Sequence, residues 1–437
     1  MKKRIRILIS AGCVTILAIA WIITIGSASP AQKQLELISQ AAVFAQDGLY
    51  VRAVPILEEA AGYNAAYTLA AEEHLKAAYL ALADTRGYTR KYTNLLEKQM
   101  NRKEVSSEIY AEAANYYLGK SRTGEALKVL KAGIEKNSCQ ELAVLYESSR
   151  YAYETTRSTY GYVGASLGGY VQVEKDGRWG IAGIGGVPVI PCEYEKISTL
   201  SGDRAIVMSG GKVFAVDRNN NRIAILSSEA EDIGNYSENR VAVRAGGNWY
   251  RAAGDLALGS SGFEELGTYS EGYAAAKADG KWGVIDIGTK WLISPEYDGI
   301  ITDELNRCYG QGSVFVISAG EVLHLRGGKQ IGEAYEDARP FSSNGFAAVK
   351  RDGKWGFIDS DGSVAIEFIF DDALSFGQHL AAVKIGGLWG YISTGGRVVI
   401  DVQYVLARSF ERGCAAVLTE QGWKFITLLE YKQEAGL

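Results

Sequence analysis

Histidine, proline and cysteine are all scarce in this chain. Three His, six Pro and five Cys are spread over 437 residues. His74, His324 and His379 have no partner at metal or triad spacing, so they are read as surface or internally satisfied side chains. No HExxH, phosphate loop or dinucleotide fingerprint occurs. Cys139, Cys192, Cys308 and Cys414 lie far apart with no CxxC, which excludes a zinc ribbon and a disulfide scaffold. They read as small buried hydrophobes. A basic excess is also missing. Residues 151–437 hold 27 basic and 36 acidic groups, a net −9, within an overall charge of −5. That argues against nucleic acid and against direct contact with an anionic bilayer surface. No catalytic residue, cofactor or metal is therefore expected, and the chain is not read as an enzyme.

What is present is glycine: 51 residues, against the six prolines. That pairing predicts many tight turns between short strands. The 26 Tyr and 12 Phe fit sheet surfaces. Hydrophobic content of 47% with 22% charged residues marks a globular chain.

Residues 1–30 read as a cytoplasmic basic tail and a transmembrane anchor. Lys2, Lys3, Arg4 and Arg6 precede an uncharged run of 20 residues, Ile7 to Gly26. A helix of about that length spans a bilayer, and the basic cluster predicts a cytoplasmic N-terminus. The expectation is a single-pass plasma-membrane protein with the bulk of the chain extracytoplasmic. A cleaved signal peptide is the alternative, although its apolar core is usually about 7–15 residues.

Residues 31–150 are rich in Ala, Leu, Glu and Lys at helical spacing. Leu35, Ile38, Ala42 and Ala45 predict one helix, and Asp47-Gly48 ends it. Ala53, Ile56, Leu57 and Ala60 predict the next. Ala53, Tyr92 and Ala126 align at spacings of 39 and 34 residues. Ala114-Asn115-Tyr116-Tyr117-Leu118-Gly119 followed by Glu125-Ala126-Leu127 resembles the tetratricopeptide repeat, a helix–turn–helix unit about 34 residues long. The resemblance implies a protein-interaction scaffold of three degenerate units. Tyr92, where Ala is expected, departs from the pattern. A plain helical bundle is the alternative.

Residues 151–437 carry a second repeat. Its markers are Trp179-Gly180, Trp282-Gly283, Trp355-Gly356 and Trp389-Gly390, then Trp249 and Trp423 without the Gly. Val213 and Val322 take the same place in two further copies. The eight markers step by 34, 36, 33, 40, 33, 34 and 34 residues. In the clearest copy Phe346–Lys350, Lys354–Asp359 and Ser363–Phe368 read as strands around Asp352-Gly353 and Asp361-Gly362. Asp-Gly between alternating apolar runs predicts a type I′ hairpin. Each unit is thus expected to be a three-stranded meander.

These residues resemble the bacterial WG-repeat family over nearly all of 165–425. The resemblance implies a repeat array appended to other modules, with no defined activity and no site residues to carry over. A Trp recurring once per unit is expected to pack between neighbouring units, and the Gly beside it to admit a close approach. Trp291 falls outside the pattern and is the better candidate for an exposed aromatic. The fold class read from the chain is therefore multidomain: a transmembrane helix, α-helical repeats, then an all-β repeat domain of about eight units. A closed propeller-like toroid is favoured for the β domain, because closure removes exposed edges. An open β-solenoid is the alternative. Ser158–Val163 is the strand expected to close the ring.

One polar pattern stands out. Glu193, Glu195, Glu296, Asp298, Glu336, Asp337, Asp371 and Asp372 flank aromatics at the ends of third strands. Converging, they would form an acidic binding surface. Apart, they are solvated ends that discourage edge pairing. The function read from all this is a membrane-anchored, non-catalytic scaffold for an envelope protein partner. The alternative is a carbohydrate or cell-wall module, which makes a polysaccharide the second candidate ligand.

Overall fold

The computed structural model describes residues 29–83, 85–226 and 229–432. The chain divides into two compact units, one ending at Tyr146 and one beginning at Glu147.

Among the described residues the first part is helical: α1 (Pro30–Gln46), α2 (Tyr50–Gly62), α3 (Thr68–Ala81), α4 (Tyr88–Met100), α5 (Ser107–Gly119), α6 (Thr123–Asn137) and α7 (Gln140–Ser149). A capping box starts α1: Gln32 N–H donates to Ser29 Oγ at 3.3 Å, and Ser29 N–H to Gln32 Oε1 at 2.8 Å. Consecutive helices from α1 to α6 pack on one another. The aligned positions Ala53, Tyr92 and Ala126 are all buried, near the starts of α2, α4 and α6. Tyr92 is housed by a ring contact with Tyr116, centroids 4.7 Å apart, and by a 2.9 Å hydrogen bond to Glu112. Charge is buried here too. Glu72 on α3 is wholly enclosed, and Gln99 donates to it at 3.0 Å, Arg102 at 2.6 Å and Lys98 at 3.2 Å.

The expected transmembrane helix is corrected. Among the described residues no helix is long and apolar enough to cross a membrane, and the 7–26 segment lies outside them. The single-pass plasma-membrane location expected from that segment is corrected with it, for want of a spanning element among the described residues.

The second unit is an eight-bladed β-propeller. Eight antiparallel four-stranded sheets succeed one another. Blade 1 spans 162–194, blade 2 196–225, blade 3 232–263, blade 4 265–297, blade 5 299–330, blade 6 337–370 and blade 7 372–404. Blade 8 takes three strands from 406–428 and its fourth from the opposite end of the unit. Tyr153–Arg157 pairs with Gly422–Leu428, in register from Tyr153↔Leu428 to Arg157↔Lys424. The first strand thus completes the last blade and closes the ring.

Two details differ from the sequence reading. The closing strand is Tyr153–Arg157, while Tyr162–Leu167 opens blade 1. Blades 2 to 8 each also have an inner strand of two residues, such as Asp232–Ile233 or Asp372–Ala373. A two-residue strand shows no alternation, so the pattern hides it.

The turns obey the expected chemistry. Asp176-Gly177, Gly210-Gly211, Gly246-Gly247, Asp279-Gly280, Asp352-Gly353 and Gly386-Gly387 have positive φ at both residues, as type I′ requires. The repeat glycine has a different task. A Cβ on Gly356 would stand 2.7 Å from the Ile366 carbonyl oxygen, and one on Gly283 2.4 Å from that of Ile293. The outer strand bulges inward at this point, with a register shift between Trp355 and Phe357.

The Trp side chains sit where blades meet. Trp355 packs with Ala373, Phe376 and Val383 of blade 7, and Trp389 with Ala407, Phe410 and Val417 of blade 8. Trp423 packs with Val163, Val171 and Val173 of blade 1, which seals the ring. Trp179, Trp249 and Trp282 are half-buried against blades 2, 4 and 5. Val213 and Val322 fill the same place against blades 3 and 6.

Candidate functional site: the plugged channel mouth

The 40-residue step between Trp282 and Val322 has a structural meaning. The residue after each inner strand donates its N–H to the neighbouring strand: Gly234 to Ala242, Gly267 to Ala275, Ile301 to Phe315, Arg339 to Ala348, Leu374 to Ala382 and Arg408 to Ala416, all at 2.8–2.9 Å. After that residue blade 5 inserts Thr302-Asp303-Glu304-Leu305-Asn306-Arg307. These residues reach blades that are not neighbours. The Asn235 amide of blade 3 donates to the Leu305 carbonyl at 3.1 Å, and Glu304 pairs with Arg408 of blade 8. In a ring, contacts that skip blades run through the middle. The insertion therefore plugs the channel, with Leu305 buried and Thr268 N–H donating to the Asn306 carbonyl at 2.8 Å.

Arg408 anchors the plug. It donates to Tyr162 Oη at 3.0 Å and to the Val163 carbonyl at 3.3 Å, and its guanidinium lies over the Trp423 ring at 5.5 Å. Burial pushes the Glu304 carboxyl above its ordinary pKa, and Arg408 only partly offsets this. Within the plug, Asp303 Oδ1 accepts the N–H groups of Leu305 and Arg307 at 2.9 Å each, and its Oδ2 accepts from the Arg307 side chain at 2.7 Å.

Beside the plug lies a cavity of about 400 Å³, lined by Asp303, Glu304 and Arg307 and by residues of blades 1, 4, 6, 7 and 8. Arg339 lines it from blade 6, stacked on Trp355 at 4.3 Å and paired with Asp337 at 3.3 Å and Asp372 at 3.4 Å. Ser375 and Ser409 stand at equivalent places in blades 7 and 8, with Ser342 nearby in blade 6. Glu411 lines it too, half-buried, its Oε2 closed off from solvent with no hydrogen-bond partner among the described residues.

The acidic residues singled out from sequence do not converge. One set braces hairpins: Glu195 accepts Gly210 N–H at 3.0 Å, Asp298 accepts Ala319 N–H at 2.9 Å, Glu336 accepts Gly353 N–H at 3.0 Å and Asp371 accepts Gly386 N–H at 2.7 Å. Lys281 and Lys354 hold the Asp298 and Asp371 carboxyls below their usual range, and the Gly353 N–H does the same for Glu336. The reading missed Glu231 and Glu264, which accept Gly247 and Gly280 N–H at 2.9 Å. Asp337 and Asp372 flank Arg339. Glu193 is exposed and accepts from Asn220 at 2.8 Å, and Glu296 is exposed. Of the repeat tryptophans, Trp355, Trp389 and Trp423 are buried and the other three half-buried. Trp291 is 37% exposed, edge-on to Phe263 at 5.9 Å.

Cross-strand pairing brings His324 Nε2 to 3.1 Å from Ser313 Oγ, a partner the spacing did not suggest. Both are buried, and His324 contacts the Phe315 and Phe341 rings. Burial lowers the His324 pKa to about 4. The pair is enclosed, so no substrate reaches it. Cys308 and Cys414 are buried and Cys139 and Cys192 half-buried, all four as free thiols.

The fold and its marker residues define a class: an eight-bladed propeller whose blades are joined by Trp-Gly units. Residues 179–212, 262–282, 334–355, 355–389 and 389–423 match the family described as WG containing repeat. These matches support assigning the C-terminal region to the WG-repeat family. No curated protein matches the chain. Among solved structures, "YCF48 bound to D1 peptide" is similar at 12% identity and TM-score 0.33, covering 53% of this chain and 92% of that one. The Neurospora crassa Pan2 WD40 domain is similar at 12% identity and TM-score 0.30, covering 53% and 88%. The Cps50 (Swd1) β-propeller domain of Myceliophteria thermophila is similar at 11% identity and TM-score 0.32, covering 61% and 99%. Likeness at this level carries nothing about what this chain binds.

Proposed function

We propose that the chain is a non-catalytic interaction scaffold whose propeller presents the plugged mouth to a protein partner. The observation that supports this most is the blade 5 insertion. It fills the channel and leaves a recess of about 400 Å³ walled by six blades. A recess of that size suits an inserted side chain or short loop. The helical unit, with its likeness to tetratricopeptide units, provides a second contact surface in this proposal.

The test is photo-crosslinking in cells that produce the full chain. A photoreactive residue at Ser343, on the mouth, is compared with one at Ile369, exposed on an outer strand. A discrete adduct from position 343 and none from position 369 is expected. No adduct from either position, or equal adducts from both, overturns the proposal.

A further inference from the structure

The mouth cavity has an uneven balance of charge. Four of its lining carboxylates and two of its guanidiniums are Glu271, Asp303, Glu304, Glu411, Arg307 and Arg339. Most are already neutralised. Asp303 pairs with Arg307, Glu304 with Arg408, and Arg339 with Asp337 and Asp372. Among the described residues two carboxylates remain without a cation. Gln311 donates its N–H to Glu271 at 3.1 Å, and Glu411 has an orphaned oxygen. Glu411 is also out of pattern. Six blades turn here through a bridge between this position and the residue three further on. The position is Ser201, Ser237, Ser270, Gly310 and Gly377 in blades 2, 3, 4, 5 and 7, and Glu411 in blade 8. Small residues satisfy the turn, so the carboxylate is not needed for it.

The serines around it present acceptors. Ser375 Oγ donates its proton to the Pro340 carbonyl at 2.7 Å and accepts the Ala348 N–H at 3.3 Å, and Ser409 Oγ faces the Ser375 carbonyl at 3.5 Å. Ser342 Oγ is hydrogen-bonded to Asn344 Oδ1 and faces the Phe346 carbonyl at 3.1 Å. Each hydroxyl keeps at least one lone pair for a ligand. The described residues hold no group of three His, Cys, Asp or Glu able to bind a metal ion, and the cavity is far larger than a bare ion needs. An organic cation rich in N–H donors answers both the unpaired carboxylates and the acceptor lining.

We infer that the mouth takes the ammonium or guanidinium of a basic segment on the partner protein, with Glu411 and Glu271 as its counter-charges. This deepens the proposal above and rests on it. The net −9 of residues 151–437 favours approach of such a segment at long range. The Glu411 carboxylate, in the cavity wall, supplies the local counter-charge.

The test is binding of fluorescein-labelled tetralysine to the full chain by anisotropy, with tetraglutamate as the sign control. Tetralysine binds and tetraglutamate does not. Glu411→Gln keeps the shape and removes the charge, and it weakens tetralysine by roughly tenfold or more, the size of one charge-assisted hydrogen bond. Glu193→Gln, which removes an acid away from the cavity, leaves binding within about twofold. Equal binding to Glu411→Gln and the native chain, or equal weakening by Glu193→Gln, overturns the inference. Acetyl-lysine methylamide binding as tightly as tetralysine overturns the polypeptide part. Thermal unfolding of Glu411→Gln is checked alongside. Should that variant misfold, Glu271→Gln decides, and unchanged tetralysine binding to it overturns the inference. A crosslink from position 343 with no tetralysine effect leaves the scaffold proposal standing and removes this one.

Discussion

The two units solve one problem, joining like pieces, by different means. The propeller places one kind of contact at every junction: a bulky side chain at the marker position, pressed into the next blade. The helical unit uses a different polar arrangement at each joint. Glu72 gathers Gln99, Lys98 and Arg102; Glu58 takes Tyr79 at 2.6 Å and Lys91 at 2.8 Å; Glu112 takes Lys76 at 2.5 Å and Tyr92 at 2.9 Å. Packing at the marker position is tolerant of loss, because Val213 and Val322 still bury there. The buried charges of the helices are less forgiving, since removing one partner strands the other.

The largest expected effect is at the fully packed junctions. Trp389→Ala opens a cavity between blades 7 and 8 and costs about 3–5 kcal/mol, read as a drop in the propeller's thermal midpoint. Trp389→Val, which imitates blades 2 and 5, costs less, and an equal cost for both would erase the difference between the two kinds of junction. Next, Gly356→Ala drives a Cβ into the Ile366–Phe368 backbone and is expected to cost roughly 2–3 kcal/mol. Gly133→Ala on α6 meets Cβ and Cγ of the buried Tyr110 and Cδ1 of Leu142 at 2.7–2.8 Å and is expected to cost a similar amount, because the root of a buried ring cannot swing aside.

Acid separates the units further. His324, with its pKa lowered to about 4, stays neutral when folded and takes up a proton when unfolded. Propeller stability is therefore full above the unfolded value of about 6.5 and is lost as pH falls towards 4, by up to ~3 kcal/mol. His324→Phe removes that slope in urea titrations at pH 4–7. Glu72 behaves at lower pH. Burial alone would raise its pKa, but Gln99, Lys98 and Arg102 outweigh burial and hold it below the ordinary value. Its contribution to the helical unit is present above about pH 4.5 and fades as pH falls through the depressed pKa. Glu72→Gln should abolish that low-pH loss while lowering stability at pH 7, measured by far-ultraviolet circular dichroism. The smallest effect is expected at Glu193, where Gln leaves stability within about 0.5 kcal/mol.

Different parts of this architecture were open to a reader of the chain for physical reasons. Trp-Gly and Asp-Gly pairs are legible because a bulge and a type I′ turn each demand a particular backbone, and few residues supply it. The two-residue inner strands carry no period. Tyr153–Arg157 belongs to a blade far away in sequence, as its pairing of Tyr153 with Leu428 illustrates. The plug had one trace, the step of 40 among steps near 34, yet nothing in its residues announces that they cross a channel. The acidic pairs looked alike in sequence but divide between hairpin bracing and blade-to-blade pairing with Arg339. The cavity's charge balance depends on which carboxylates find a cation, and only three-dimensional pairing decides that.

The mouth and everything proposed for it require a closed ring. Arg157→Cys with Lys424→Cys places two thiols at directly paired positions of the closing strands, the first exposed and the second half-buried. Closure predicts that mild oxidation links these two cysteines, found as one disulfide-joined peptide pair by mass spectrometry. Recovery of both thiols free and alkylated under the same oxidation would contradict it.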